Sequence, residues 1–390
     1  MSGGVDSSVT ACLLKGQGYD VIGLFMRMGN LYGDGTAHES RARSCCSLED
    51  AYDAERVAEY LNIPFYVLNF KEAFEGLVDY FCAEYARGRT PNPCIICNQS
   101  LKFGKLLKFA YSIGADLLAT GHYARLEEVK GRYILKTGLD GRKDQSYVLF
   151  SLSQEQLAHA LFPLGEWTKE QVREKASELG LRNRAKPDSQ EVCFVPDNGY
   201  GGLIRERTGN NVRTGLVKDI QGRVLGSHPG IQFFTIGQRR GLGIATGEPY
   251  YVVDIDPVEG TVTVGRDRET LVTEFLVTGM NWVSIEKPMG EIRADVKIRY
   301  NHKAVPAAIC PTGDDVVRVV FDEPQRAVTP GQAAVFYRGD VVLGGGWIER
   351  KTSLNSDITP AKTVEEQAIR CSKTFVLPCF AGFSFPSAES

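Results

Sequence analysis

The sequence predicts an α/β protein whose first half is a parallel sheet covered by helices and whose second half is built from β-rich domains. In the first half, apolar runs at 20–26, 64–70 and 116–120 alternate with helical patterns at 5–15, 48–61, 71–87 and 103–113. That rhythm is the signature of βαβ units. Beyond about residue 200 it gives way to Gly-punctuated, period-two segments at 250–255, 261–265, 293–300, 316–321, 333–337 and 341–346, as expected of small sheets or barrels.

At 390 residues the chain exceeds what one hydrophobic core usually organises. The composition shifts divide it into 1–200 (α/β), 201–262 (small, β-rich), 263–350 (a β-barrel) and 351–390, a tail read as disordered. A net charge of −3 provides no global basic field, so any nucleic-acid contact has to come from local clusters of Arg and Lys. No basic, apolar-cored leader and no run of eighteen apolar residues occurs, which favours a cytoplasmic chain without membrane contact. The ten cysteines are too sparse for a disulfide scaffold and read as core fillers, reactive thiols or metal ligands.

Taken in order, residues 5–15 carry apolar positions at helical spacing directly after the loop SGGVDSS at 2–8. The run at 20–26 is a strand, 48–61 a helix, 64–70 a strand and 71–87 a helix. Residues 124–137 read as a hairpin, and Thr168 with Gln171 has capping-box spacing at the start of a later helix.

The loop at 2–8 carries the most chemistry. Gly3 and Gly4 let backbone N–H groups approach an anion, Ser2, Ser7 and Ser8 add hydroxyls, and the following helix offers its positive end. Asp6 suits such a site only if it orients the loop or holds a magnesium ion that bridges phosphates. The plain alternative is a Gly-Ser helix start that binds nothing. No G-x-x-x-x-G-K-[ST] occurs, and GLGIATG at 241–247 lies in the β-rich part, so neither a Walker nor a Rossmann loop fits.

SGGVDSS resembles the PP-loop of ATP pyrophosphatases. With GLFM at 23–26, GRTPNPCIICN at 88–98, ATGHYAR at 119–125, KDQSYVL at 143–149, DSQEVCF at 188–194 and FTIGQRRGLG at 234–243, the sequence is similar to the bacterial-type tRNA-specific 2-thiouridylases over residues 1–350. The resemblance implies ATP and Mg2+ as cofactors and adenylation of the C2 oxygen of the wobble uridine, position 34. Sulfur then arrives from a cysteine persulfide, with AMP and pyrophosphate as by-products. Met1, Ser2, Gly3, Gly4, Val5, Asp6, Ser7, Ser8, Met26 and Gly121 match the nucleotide-contacting positions. In this family a hydrophobic strand precedes the loop, whereas the sequence opens on the loop itself; weak ATP binding, restored by an added upstream strand, is the expectation that follows.

Cys193 matches the persulfide carrier, and Cys97 the partner thiol that helps release sulfur and ends in a disulfide with it. A lone Cys193 would read as a small buried hydrophobe, a reading that its surrounding motif outweighs, and the plain alternative for Cys97 is a proline-containing loop between helices. In some family members an aspartate stands where this chain has Cys94. Cys94-x-x-Cys97 with Cys193 could therefore ligate a [4Fe-4S] cluster, a second route to the same product. Cys45-Cys46 is left unassigned. Asn92 and Asn98 offer amides to a base edge, and His122 reads as a structural hydrogen-bonder.

The resemblance puts Asn92, Pro93, Cys94, Lys143, Asp144, Gln145, Arg299 and Tyr300 against tRNA, turned out at the anticodon loop. Basic clusters at Arg182, Arg184 and Lys186, at Arg239 and Arg240, and at Lys297, Arg299 and Lys303 could follow its phosphates. The partners implied are tRNA and a persulfide-donating protein, with the chain a monomer when free. Two other readings stay open: an ATP pyrophosphatase acting on a small carboxylate or amide, and a non-catalytic RNA-binding protein on a decayed scaffold.

Overall fold

The computed structural model describes residues 1–29, 48–187, 192–195, 199–209, 212–244 and 247–350. These belong to one unit, Met1–Lys351. Cys45, Cys46, most of DSQEVCF and the tail at 351–390 lie outside the described residues.

The first part alternates as expected. Helix α1 (Val5–Gly16) has Asp6 in its first turn and Lys15 in its last, matching the helix dipole at both ends. It leads to β1 (Gly23–Arg27), α2 (Leu48–Leu61), β2 (Phe65–Asn69) and α3 (Lys71–Ala86). Strands β1 and β2 pair in parallel, Gly23 opposite Phe65. Then come α4 (Pro93–Ile96), a π-helical stretch Cys97–Leu106, α5 (Leu107–Ser112) and β3 (Leu118–Ala119).

A tight hairpin of β4 (Ala124–Val129) and β5 (Arg132–Thr137) turns at Lys130 and Gly131, both at positive φ, as a two-residue primed turn requires. Next are α6 (Gln154–Ala158), β6 (Ala160–Leu161), α7 (Lys169–Glu178) and, after a 3-10 turn at Arg182–Ala185, α8 (Gly201–Thr208). The capping box at Thr168 and Gln171 is formed reciprocally.

Two expectations need correction. The parallel strands form two separate ladders, β1–β2 and β3–β6, rather than one continuous sheet among the described residues. The amino group of Met1 donates to Leu24 O on β1. The helix expected at 103–113 starts ten residues earlier in effect, because Asn92 accepts from the Cys94 N–H as N-cap and Pro93 occupies the first turn. An N-cap followed by proline is a helix start, so the cysteine pair sits on a helix and not in a loop.

The second half holds a four-stranded sheet of β7 (Gly215–Asp219), β8 (Val224–His228), β9 (Tyr251–Asp256) and β10 (Thr261–Gly265), in the order β8-β7-β10-β9. A barrel follows from β11 (Leu271–Asn281), β12 (Ile292–Lys297), β13 (Val305–Pro311), β14 (Val316–Arg326), β15 (Ala333–Arg338) and β16 (Val341–Ile348). Its order β11-β14-β13-β12-β15-β16 closes through pairing of β11 with β16.

The barrel is fused to the first part. Hairpin strand β5 pairs with β16 at Lys136 opposite Val341, and Val283, Ala333, Val335, Tyr337 and Val342 join the core that contains Phe74, Phe81, Ile95 and Phe150. The alternation expected in β15 and β16 is therefore absent: five successive residues are buried in each. One face fills the barrel and the other packs on the α/β part. Gly345 permits this contact, since a Cβ there would stand 2.8 Å from the Phe150 ring.

Candidate active site

The loop before α1 is built from its glycines outward. Gly3 has φ +72°, and an added Cβ would lie 2.3 Å from Asp50 O, so only glycine satisfies both the backbone and the contact. Gly4 caps α1 with no side-chain hydrogen bond of its own, and a glycine at this position leaves the positive end of the helix open to an anion. Ser7 and Ser8 donate to Gly4 O at 3.1 and 3.0 Å, and Ser2 N donates to Ser7 Oγ at 3.0 Å.

Asp6 faces inward to structure. Its carboxylate accepts from Lys169 Nζ at 2.7 and 2.8 Å and from the Tyr123 hydroxyl at 2.8 Å. Of the two roles open to it, the geometry carries loop orientation. Gly121 abuts the same place: its Cβ would stand 3.0 Å from Asp6, so its missing side chain admits the loop itself.

Further support comes from Asn183, which no sequence motif marks, and from Lys186. Asn183 Nδ2 donates to Gly3 O and Ser8 Oγ at 3.0 and 2.8 Å. Lys186, grouped with the RNA-tracking cations, instead binds Asp50 at 2.5 Å, Asp53 at 2.8 Å and Gly3 O at 3.4 Å. Burial opposes its charge, but the two carboxylates raise its pKa, and it is a strut of the loop. The Asp50-x-x-Asp53 spacing, on one face of α2, was the available signal. Met26 lies partly buried against the core at the end of β1.

The thiols sit on the edge of the same core. Cys97, at the end of α4, and Cys193 both pack against it as partly buried residues, and Cys94 is exposed. Phe194 anchors the turn that carries Cys193 by edge-to-face contacts with Phe74 and Phe81 at 5.5 and 5.2 Å. Cys97 and Cys193 are thiols rather than a disulfide. Among the described residues no group of three or more His, Cys, Asp or Glu side chains is gathered to hold a metal ion. Cys94, Cys97 and Cys193 thus do not form a cluster-ligating set here, and Asp6 is engaged by Lys169 and Tyr123.

Several of the residues expected to face RNA also hydrogen-bond within the fold. Asn98 is buried and donates to Val148 O at 3.1 Å. The Asn92 carbonyl caps α4 through Cys94 N. Asp144 accepts from Gly138 N and from the N–H and hydroxyl of Ser146 at 3.0 to 3.1 Å, and Gln145 Oε1 accepts from Tyr123 N at 3.1 Å. Lys143 is half-buried beside them. His122 is buried, paired through Nδ1 with Thr120 Oγ1 at 2.7 Å, and its pKa is driven well down by burial and by Lys102.

The barrel meets this loop. Tyr300, just past β12, has its hydroxyl pKa pushed up to about 12 by burial and by the negative charges of Asp144 and Cys94. Lys297 Nζ lies 5.5 and 5.8 Å from the Tyr300 and Tyr147 rings, and burial lowers its pKa while Asp144 partly offsets this. Arg299 donates to Arg326 O at 2.9 Å, so its guanidinium is partly committed to the barrel. Arg239 and Arg240 are exposed at a turn held by Gln238, whose amide donates to Arg240 O.

Residues 1–197 match the model of a tRNA methyl transferase HUP domain, 204–266 a tRNA methyl transferase PRC-barrel domain and 272–348 an aminomethyltransferase beta-barrel domain. Among curated proteins, the tRNA-specific 2-thiouridylase MnmA of Clostridium perfringens is 51% identical over 350 residues, covering 90% of this chain and 97% of that protein. MnmA 1 of Caldanaerobacter subterraneus subsp. tengcongensis is 52% identical over 355 residues, with 90% and 97% covered. MnmA of Carboxydothermus hydrogenoformans is 51% identical over 354 residues, with 90% and 96% covered. With its three-part architecture and half its residues shared across nearly the whole length of these proteins, the chain belongs to the tRNA-specific 2-thiouridylase family.

Proposed function

We propose that this protein is an ATP-dependent sulfurtransferase that converts the wobble uridine of tRNA to 2-thiouridine. The observation that carries the reading is a glycine-capped helix start on the same body as Cys97 and Cys193, which share one core.

Met1 to Ser8, Met26 and Gly121 would hold ATP, whose role is to turn the uracil C2 oxygen into a leaving group. The uncapped α1 start and the fixed glycine backbone suit phosphate oxygens. Asp6, Lys169, Asn183 and Lys186 keep that backbone rigid. Mg2+ has no gathered protein donor set among the described residues.

Cys193 carries the sulfur as a persulfide received from a donor protein. Its terminal sulfur attacks C2 of the activated uridine and AMP departs. Cys97 thiolate then attacks Cys193 sulfur, so the S–S bond of the adduct breaks, the 2-thio group leaves with its electron pair, and a Cys97–Cys193 disulfide forms. An external dithiol, itself oxidised to a disulfide, reduces the Cys97–Cys193 bond for the next turnover. Asn92, Pro93, Cys94, Lys143 to Gln145, Arg299 and Tyr300 form the proposed tRNA-facing rim.

The test is mass spectrometry of tRNA nucleosides after incubation of the protein with ATP, magnesium and a persulfide source. Thiolated uridine is expected from the intact protein and none from Cys193→Ala or Cys97→Ala. Unchanged product from Cys193→Ala would refute the persulfide route, and an absence of product with retained tRNA binding would support a binding protein instead.

A further inference from the structure

The segment that leads into the cysteine pair, residues 88–93, is gripped from outside its own domain. Thr90 N donates to Pro330 O at 2.8 Å. Gln332 Nε2 donates to both Thr90 O and Pro91 O, at 3.0 and 3.2 Å. Arg89 lies between two carboxylates, donating to Glu84 of α3 at 2.8 Å and to Glu349, just past β16, at 2.5 Å. Glu349 is itself fixed, since its second oxygen accepts from Thr278 Oγ1 at 3.1 Å.

The contact is close at the backbone level. Gly331 has φ +88°, and a Cβ there would meet Arg89 Cβ, Thr90 N and Thr90 O, each at 3.0 Å. Gln332 is held on its other side, where its carbonyl accepts from Ile348 N at 2.9 Å. Apart from the Arg89–Glu84 pair, these bonds run from residues flanking β15 and β16, Pro330 and Gln332 just before the one and Glu349 just after the other, to a proline-stiffened turn that has no ladder of its own. The turn ends at the Asn92 cap, and the helix that it starts carries Cys94 and Cys97. An error in the turn is transmitted directly to both sulfurs.

We propose that Gln332 and Glu349 of the barrel are positioning residues: they set the geometry of the 88–97 segment, so the barrel completes the thiol site as well as offering a surface to RNA. This rests on the reading of Cys97 as a reacting thiol, but the clamp itself can be read independently of turnover.

Full-length protein is compared with Gln332→Ala, Gln332→Glu and Glu349→Gln. Gln332→Glu keeps the shape and loses the two amide donors, so it tests the clamp even where the alanine variant folds poorly. The first readout is iodoacetamide labelling of Cys97, counted by peptide mass spectrometry relative to Cys12 in the same molecule. We expect the ratio to rise about fivefold or more in both Gln332 variants and by less in Glu349→Gln. The second readout is thiolation, with kcat down about tenfold and the Kd for tRNA within twofold.

An unchanged labelling ratio in the folded Gln332→Glu protein overturns the clamp. A raised ratio with unchanged kcat, in a protein that Cys97→Ala inactivates, overturns its service to the chemistry. A protein whose turnover survives Cys97→Ala shows instead that the functional reading failed, and the labelling ratio still decides the clamp.

Discussion

Replacing Lys169 with methionine is the sharpest probe of how the loop is held. Methionine keeps the length and apolar stem of lysine and removes the ammonium that lies 2.7 and 2.8 Å from the two oxygens of Asp6. Lysine is 10% exposed and the aspartate 31%. Removing one partner of a fully buried pair costs about 3–5 kcal/mol, because a charge is left without compensation. Exposed pairs are worth about 1 kcal/mol or less. With Asp6 about a third open to water, an intermediate loss of about 2 kcal/mol is the reasonable estimate. If the pair serves to order the nucleotide loop, that loss appears as a weakening of ATP affinity of about 30-fold.

Tyr123→Phe removes a single hydrogen bond to the same carboxylate oxygen and is expected to cost about 1 kcal/mol, or about fivefold. Because both groups meet Asp6, the double variant should depart from additivity. The assay is calorimetric titration with a non-hydrolysable ATP analogue, alongside pyrophosphate release. A Lys169→Met protein that binds the analogue within twofold of the parent, while Asp6→Asn binds it poorly, would show that Asp6 acts directly on the nucleotide and that the buttress argument is wrong.

Three further outcomes follow from the same geometry. Gly3→Ala should lower ATP affinity at least tenfold in the same titration, since alanine in the left-handed region costs about 1–2 kcal/mol and its Cβ overlaps Asp50 O at 2.3 Å; Gly16→Ala, with nothing within 4 Å, should leave it unchanged. His122→Gln should leave the pH-rate profile between about pH 6 and 8 unaltered, because burial and Lys102 hold the imidazole neutral; loss of a limb in that window would count against a structural histidine. Lys297, whose pKa burial lowers, should lose its charge at a lower pH than an ordinary lysine. If it meets a tRNA phosphate, affinity falls as pH rises through that lowered value. Filter binding of Lys297→Ala should then show no such alkaline fall and a salt slope smaller by about one.

What the sequence determined by itself was everything encoded at short range. The alternation of apolar runs and helical patterns placed α1, α2, α3 and both strands of the hairpin, and the capping box at Thr168 was readable from two residues. The loop at 2–8 was legible because its glycines, hydroxyls and helix start are consecutive. The missed helix start at Asn92 was local too, hidden by a proline that reads equally as a bend or as the first helical residue.

Tertiary structure decided which polar residues serve the fold and which remain for a substrate. Asp6 is matched with a lysine 163 positions away, Gly3 with an asparagine 180 away and Thr90 with a glutamine 242 away. Asn98 and Lys186, candidates for RNA by type, were spent on Val148 O and on Asp50 and Asp53. Periodicity records only whether a residue faces in or out. It says nothing of which partner arrives from a distant segment, and a buried polar group is stable only with that partner in place. The glycines at 344–346 gave no hint that the barrel wall would be buried on both sides until the α/β part was laid against it.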